Sequence, residues 1–140
     1  MMFVFKRFAG RYPARALILL SAVVSAARWA VMALAPDVPV LVGLQLLHSI
    51  TFGLGFLGCV HFIANWTSED IAAEAQSFFQ VLQQGMSVVA IAAFGWTAAA
   101  FGLQAYFALA GFAAVGAILI FISMRLMAPK QFGAEGHAAV

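Results

Sequence analysis

The feature that most constrains this chain is a succession of four apolar runs, at residues 14–35, 38–64, 71 to about 99 and 102–126, with only a few residues between them. Each is long enough for the roughly 20 mostly apolar residues that a helix needs to cross a bilayer. Lipid cannot satisfy the edge of an open sheet, so the runs are expected to cross as helices. The expected fold class is all-α and integral to the membrane, with four transmembrane helices over residues 14–126. Only 9% of the 140 residues are charged, against about 25% in a soluble domain. No length remains for a separate soluble domain.

The breaks between runs carry stop signals. In Ala35-Pro36-Asp37-Val38-Pro39, the residue before a proline is pushed out of the helical region. In Asn65-Trp66-Thr67-Ser68-Glu69-Asp70, Thr67 with Asp70 three residues on matches a capping box, and the acids suit the positive end of a helix dipole. Ala100-Phe101-Gly102 is a weaker break, which leaves that boundary open by a few residues.

Basic residues set the orientation. Lys6, Arg7, Arg11 and Arg15 precede or open the first span, and Arg125 and Lys130 close or follow the last. The positive-inside rule then predicts cytoplasmic termini, in keeping with an even number of spans. The loop at 65–70 would be cytoplasmic too, so the Asn65-Trp66-Thr67 sequon would face the wrong side for glycosylation. These basic residues lie at membrane edges rather than along a soluble stripe, so the net charge of +2 does not point to nucleic acid. Residues 1–5, followed by the basic stretch to 13, are expected to be the stub of a preceding helix and a cytoplasmic loop rather than a secretory leader, which would order its charges the other way. Residues 127–140 are expected to be a disordered cytoplasmic tail.

A lone cysteine, Cys59, offers neither a disulfide nor a thiolate metal site within one chain and is expected to be a packing residue. No phosphate-binding, dinucleotide, zinc-protease or nucleophile-elbow motif occurs. The chain is not expected to be an enzyme or to take a metal or cofactor.

Polar residues inside the spans carry what function the sequence suggests. Arg28 lies about eight residues before Pro36, or roughly 12 Å into the membrane. A guanidinium at the bilayer centre costs about 2.5–3.5 kcal/mol on insertion scales, so it either faces a protein interior or cavity, or snorkels outward. Gln45 lies the same distance beyond the turn, with His48 one turn deeper, so Arg28, Gln45 and His48 can share a level. Gln45, His48, Thr51 and Gly55 recur at helical spacing on one face. Gln76, Gln80, Gln83 and Gln84 form a second stripe, which either bonds between helices or lines a hydrophilic path. Glu74 fits a helix-start charge better than a proton carrier. Gly53, Gly55, Gly58, Gly85, Gly95, Gly111 and Gly116 are spaced for close helix approach.

Ala27-Arg28-Trp29, the run Gln45-Leu46-Leu47-His48-Ser49-Ile50-Thr51-Phe52-Gly53, Ala75-Gln76-Ser77 and Gly102-Leu103-Gln104-Ala105-Tyr106-Phe107 resemble the carboxyl-terminal third of a major facilitator superfamily transporter. The branch they are most similar to holds the phenylpropionic acid transporters and, more distantly, lactose permease. The resemblance runs over residues 6–125. It implies that the spans correspond to helices nine to twelve of a twelve-helix fold in a bacterial inner membrane, and that the chain is a fragment. In the lactose permease branch an arginine and a histidine at the positions of Arg28 and His48 act with a glutamate in sugar binding and proton coupling. That glutamate is replaced here by Thr51, which cannot hold a proton. Coupling would then rest on His48, Glu74 or residues outside this chain. The resemblance further implies an organic carboxylate held by Arg28, with Gln45, His48, Thr51, Gln80 and Gln83 orienting it. Implied partners are membrane lipid, the small organic solute, protons and the missing amino-terminal half.

Two other readings stay open. One is a self-sufficient four-helix transporter that works as a homo-oligomer, although its first span lacks the acid typical of small multidrug exporters. The other is a non-transporting scaffold or accessory subunit in which Arg28 and His48 only pair helices.

Overall fold

The computed structural model describes residues 13–126, and among these every regular element is helical. Helix α1 spans Ala14–Ala33, α2 Val38–Trp66, α3 Glu69–Phe101 and α4 Ala105–Leu126, with a 3₁₀ turn at Gly102–Gln104 before α4. The expected amino-terminal stub with its loop and the expected tail lie outside the described residues. Three helical stretches are long and apolar enough to cross a membrane: α1, α2 and the 58-residue stretch Glu69–Leu126 that contains α3 and α4.

Each break has a local cause. After α1, Leu34 and Ala35 donate backbone N–H groups to Val31 and Met32 in a tightened last turn. Ala35 then takes φ +51°, a left-handed conformation that normally costs a non-glycine residue about 1–2 kcal/mol. Asp37 caps α2 in an extended conformation, and Pro39 sits in the first turn, where the missing N–H is harmless.

The capping box expected at Thr67 does not form. Thr67 ends α2, and its hydroxyl donates to the Ile63 carbonyl at 2.8 Å. Ser68 is the residue that starts α3, without a side-chain cap, while Glu69 and Asp70 occupy the first turn as the dipole argument requires. α2 simply runs one residue too far for Thr67 to serve the next helix.

Gly102 at φ +59° turns the chain between α3 and α4, a conformation that glycine adopts without a Cβ penalty. Beyond it the chain reverses, since Phe94 and Tyr106 lie ring to ring at 4.9 Å.

Helix α1 is the centre of the bundle, packed extensively on both α2 and α4. Its start is tied to both partners by Arg15. That guanidinium donates to the Ser123 carbonyl near the end of α4 at 3.1 Å and lies over the rings of Phe62 and Trp66 on α2. Such cation–π contacts add to the charge–dipole attraction at a helix carboxyl end.

Only two of the glycines expected to permit close approach do so against a neighbouring helix. A Cβ on Gly55 would stand 2.7 Å from the Ser21 hydroxyl, and one on Gly58 2.7 Å from Ile18 Cγ1 and 3.2 Å from the Ala14 carbonyl. Gly53, Gly85, Gly95, Gly111 and Gly116 face open space. Among the described glycines, close approach to another helix is therefore confined to the α1–α2 seam, where Ser21 also donates to the Thr51 carbonyl at 2.7 Å.

Helix α3 packs lightly on its neighbours, and none of its residues is buried. The bundle is thus a packed trio with a fourth helix leaning off it, and clefts open along α3.

Alanine gains about 1 kcal/mol over glycine in helix propensity, so Gly85→Ala, with nothing near its Cβ, is expected to hold or raise the melting temperature in detergent. Gly58→Ala is expected to lower it, because Ile18 and the Ala14 carbonyl must move. Equal shifts in the two variants, followed by circular dichroism, would contradict the close α1–α2 approach.

Candidate functional site

Arg28 lies where α1, α2, α3 and α4 come together, and only 2% of it is exposed. Its guanidinium stacks on the neighbouring Trp29 ring with the central carbon 3.8 Å from the ring centroid. One terminal nitrogen points at the Met32 sulfur at 3.6 Å. Both contacts are soft, and neither neighbour carries a negative charge. Nε is buried without a hydrogen-bond partner among the described residues. A cation at membrane depth is normally paired or faces a watery cavity, and this one has a cavity.

That cavity is a cleft of about 370 Å³ whose wall includes Arg28, Gln45 and His48. The three residues that depth counting places on one level therefore meet. None of the residues lining the cleft is acidic, so the only formal charge on its wall is positive. Trp29, Phe94 and Tyr106 complete it from α1, α3 and α4. Trp29 stacks on Tyr106 at 5.6 Å with the planes 13° apart. His48 sits between Trp29 and Phe52, with ring centroids at 6.5 and 6.1 Å. The arrangement offers planar donors for an oxyanion and flat apolar surface beside them, the combination of a few convergent polar groups in an apolar cleft that small-molecule sites use.

His48 also borders a second cleft, of about 210 Å³, with Ser21, Ser25, Thr51, Cys59 and Gln83 on its wall. The imidazole is thus the shared boundary of two openings. Thr51 is 3% exposed, and its hydroxyl donates to the Leu47 and His48 carbonyls at 3.1 and 3.0 Å. Its hydrogen is spent on its own helix, so toward the cleft Thr51 has only acceptor capacity. Gln83 presents a buried Oε1 without a hydrogen-bond partner. Gln80 and Glu74 are exposed on α3, and neither lines the two clefts described. Of the glutamine stripe, only Gln83 reaches them.

Sequence reasoning gave no site role to Trp29, Tyr106, Ser21 or Ser25. The serines were within reach, because 21, 25 and 28 recur at helical steps of four and three on the arginine's own helix. Tyr106 was not, since only the packing of α4 on α1 brings it beside Trp29.

The family model described as MFS_1 like family matches residues 1–109. The chain belongs to that family. The match places it with the major facilitator superfamily, a relation in keeping with its apolar helices and with membrane transport rather than catalysis. No curated protein and no solved structure matches this member of the family. Every residue on the wall of the Arg28 cleft, from Arg28 to Leu109, falls within the matched stretch of this MFS_1 like chain.

Stacked aromatic pairs are worth about 0.5–1.5 kcal/mol beyond their buried area. A double-mutant cycle of Trp29→Leu and Tyr106→Leu, read by unfolding in detergent, is expected to give a coupling of that size between α1 and α4. Strictly additive single effects would place the two rings apart.

Proposed function

We propose that this protein is part of a secondary active transporter for a small organic anion, of the phenylpropionic acid transporter type, and that Arg28 binds the anion's carboxylate. The single observation that carries this reading is the buried Arg28 guanidinium, without an acidic neighbour on its cleft and with Nε unpartnered. An organic carboxylate entering the cleft would supply the missing acceptor. A guanidinium fork suits a carboxylate in a way that an ammonium does not, because its two parallel N–H bonds match the two oxygens.

In this reading α1 to α4 each cross the membrane once, as helices nine to twelve of a twelve-helix facilitator with cytoplasmic ends, in a bacterial inner membrane. Further helices lie against α3, completing the site as the second wall of a midplane cavity that opens alternately to either side. The exposure of Gln80 and Gln84 at membrane depth on α3 supports such a cover, because amides left in lipid lack partners. Gln45 and Gln83 orient the solute. His48, on the border of both clefts, is the coupling group, since an imidazole takes up and releases protons near neutral pH. Glu74, exposed near the start of α3, contributes charge to the helix end.

The test introduces substitutions at the native locus, so that the protein keeps every chain it assembles with, and follows uptake of labelled phenylpropionate. Hydrogen bonds to charged groups are worth about 1.5–3 kcal/mol, so Arg28→Gln is expected to reduce uptake by at least about tenfold at limiting solute. Arg28→Lys is expected to recover little, because the fork is lost. Uptake unchanged in both variants, with the protein present in the membrane, would sink the reading and favour a helix-pairing scaffold.

A further inference from the structure

A cleft larger than the one that holds Arg28 also lies along α3 among the described residues. It has a volume of about 480 Å³, lies between α3 and α4, and runs from Gln83 and Met86 at one end to Thr97 and Ala105 at the other. From Gln83 to Phe94 is about 16 Å along α3 at the helical rise of 1.5 Å per residue. Its wall is almost wholly apolar. Ser87 and Thr97 lie on it, but the Ser87 hydroxyl donates to the Gln83 carbonyl at 2.8 Å and the Thr97 hydroxyl to the Ala93 and Phe94 carbonyls at 3.0 Å each. Their hydrogens are turned back into the helix. What remains is an apolar trough with Gln83 at its far end, a residue that also lines the second cleft beside His48.

The trough adjoins the charged cleft. Ala90, Phe94 and Leu109 belong to the walls of both. Phe94 is the partition, held against Tyr106 at 4.9 Å, with the guanidinium and imidazole on one side and the trough on the other. A ligand whose head group reaches Arg28 therefore has two directions for its apolar part. It can stay beside Trp29 and Tyr106, or it can pass Phe94 and lie along α3.

We propose that the α3–α4 trough is a tail subsite of the Arg28 site, and that it selects amphipathic organic anions with an extended apolar tail over compact ones such as benzoate. The proposal rests on the transport reading above, because the head group is placed at Arg28. Burial of each further methylene along the trough strengthens binding, whereas a short acid leaves the trough empty. Sugars and other polyols are disfavoured, because the trough offers hydroxyl groups almost nothing to bond.

The residues for a test are Ala93 and Ala108, which line the trough but not the Arg28 cleft and are both exposed, so that a ring placed there fills the trough without entering the packed trio. Ala108→Trp and Ala93→Phe, introduced at the native locus, are compared with Arg28→Gln for binding of labelled benzoate and labelled phenylhexanoate to native membranes. Either filling variant is expected to weaken phenylhexanoate by about tenfold or more while leaving benzoate within about twofold. Arg28→Gln is expected to weaken both.

Phenylhexanoate binding that survives both filling variants would overturn the tail subsite while leaving the head-group site standing. So would equal loss of both acids in the filling variants, or a change only in retained lipid or in the size of the assembly, which would give the trough to a lipid or a second chain. Binding of both acids unaffected by Arg28→Gln would instead remove the transport reading on which the subsite rests.

Discussion

A guanidinium sealed at membrane depth against an indole face is the interaction on which the rest of this structure depends. Lipid makes that position costly by several kcal/mol unless the charge is shared with protein, water or a ligand. The chain meets the constraint by placing Arg28 on the central helix, where α2 and α4 both pack, and by laying it on Trp29, whose ring is backed by Tyr106 from α4. Polarisable and aromatic surface lowers the cost without neutralising the charge. The remaining demand for an acceptor is what the proposed carboxylate would meet.

The same helix carries a second arginine at its other end, and the contrast is instructive. Arg15 also lies over aromatic rings, but it donates to a backbone carbonyl near the end of α4. Its role is accounted for by architecture, since it ties the ends of three helices together. Arg28 has a sulfur and a ring for neighbours and a cleft in front of it. Between the two, Gly55 and Gly58 bring α1 and α2 close enough for Ser21 to bond across the seam. The packed trio of α1, α2 and α4 gives the arginine a firm mount, while α3, lightly attached, bounds each cleft that touches it.

Much of this was legible in the sequence. The apolar runs and their breaks locate all four helices to within about a turn, because proline, glycine and charge are expensive inside a span. Counting depth from the Pro36 turn brings Arg28, Gln45 and His48 to one cleft, since antiparallel neighbours share a level when measured from a common turn. The rest of the site is set by tertiary contacts, which spacing along one helix does not encode. Thr51 has the right spacing, but its hydroxyl bonds back to its own helix. The glutamine stripe of α3 is real as a spacing, yet only Gln83 turns toward the clefts, because a lightly packed helix presents a narrow line of contact. Trp29 sits beside Arg28 in sequence and could have been suspected. Tyr106 could not, lying some eighty residues away and reaching the site only through the packing of α4 on α1.

The central claim is that Arg28 is the carboxylate's partner, and the most direct measurement is a distance. Solid-state NMR on the protein in its native membrane, with ¹⁵N-labelled arginine and phenylpropionate labelled with ¹³C at its carboxyl carbon, reads the dipolar coupling between the guanidinium and that carbon. A bidentate pair places them within about 4 Å, so strong dephasing is expected, and it should vanish in Arg28→Gln. Bound phenylpropionate with no arginine nitrogen near its carboxyl, or with dephasing that persists in the variant, would contradict the account.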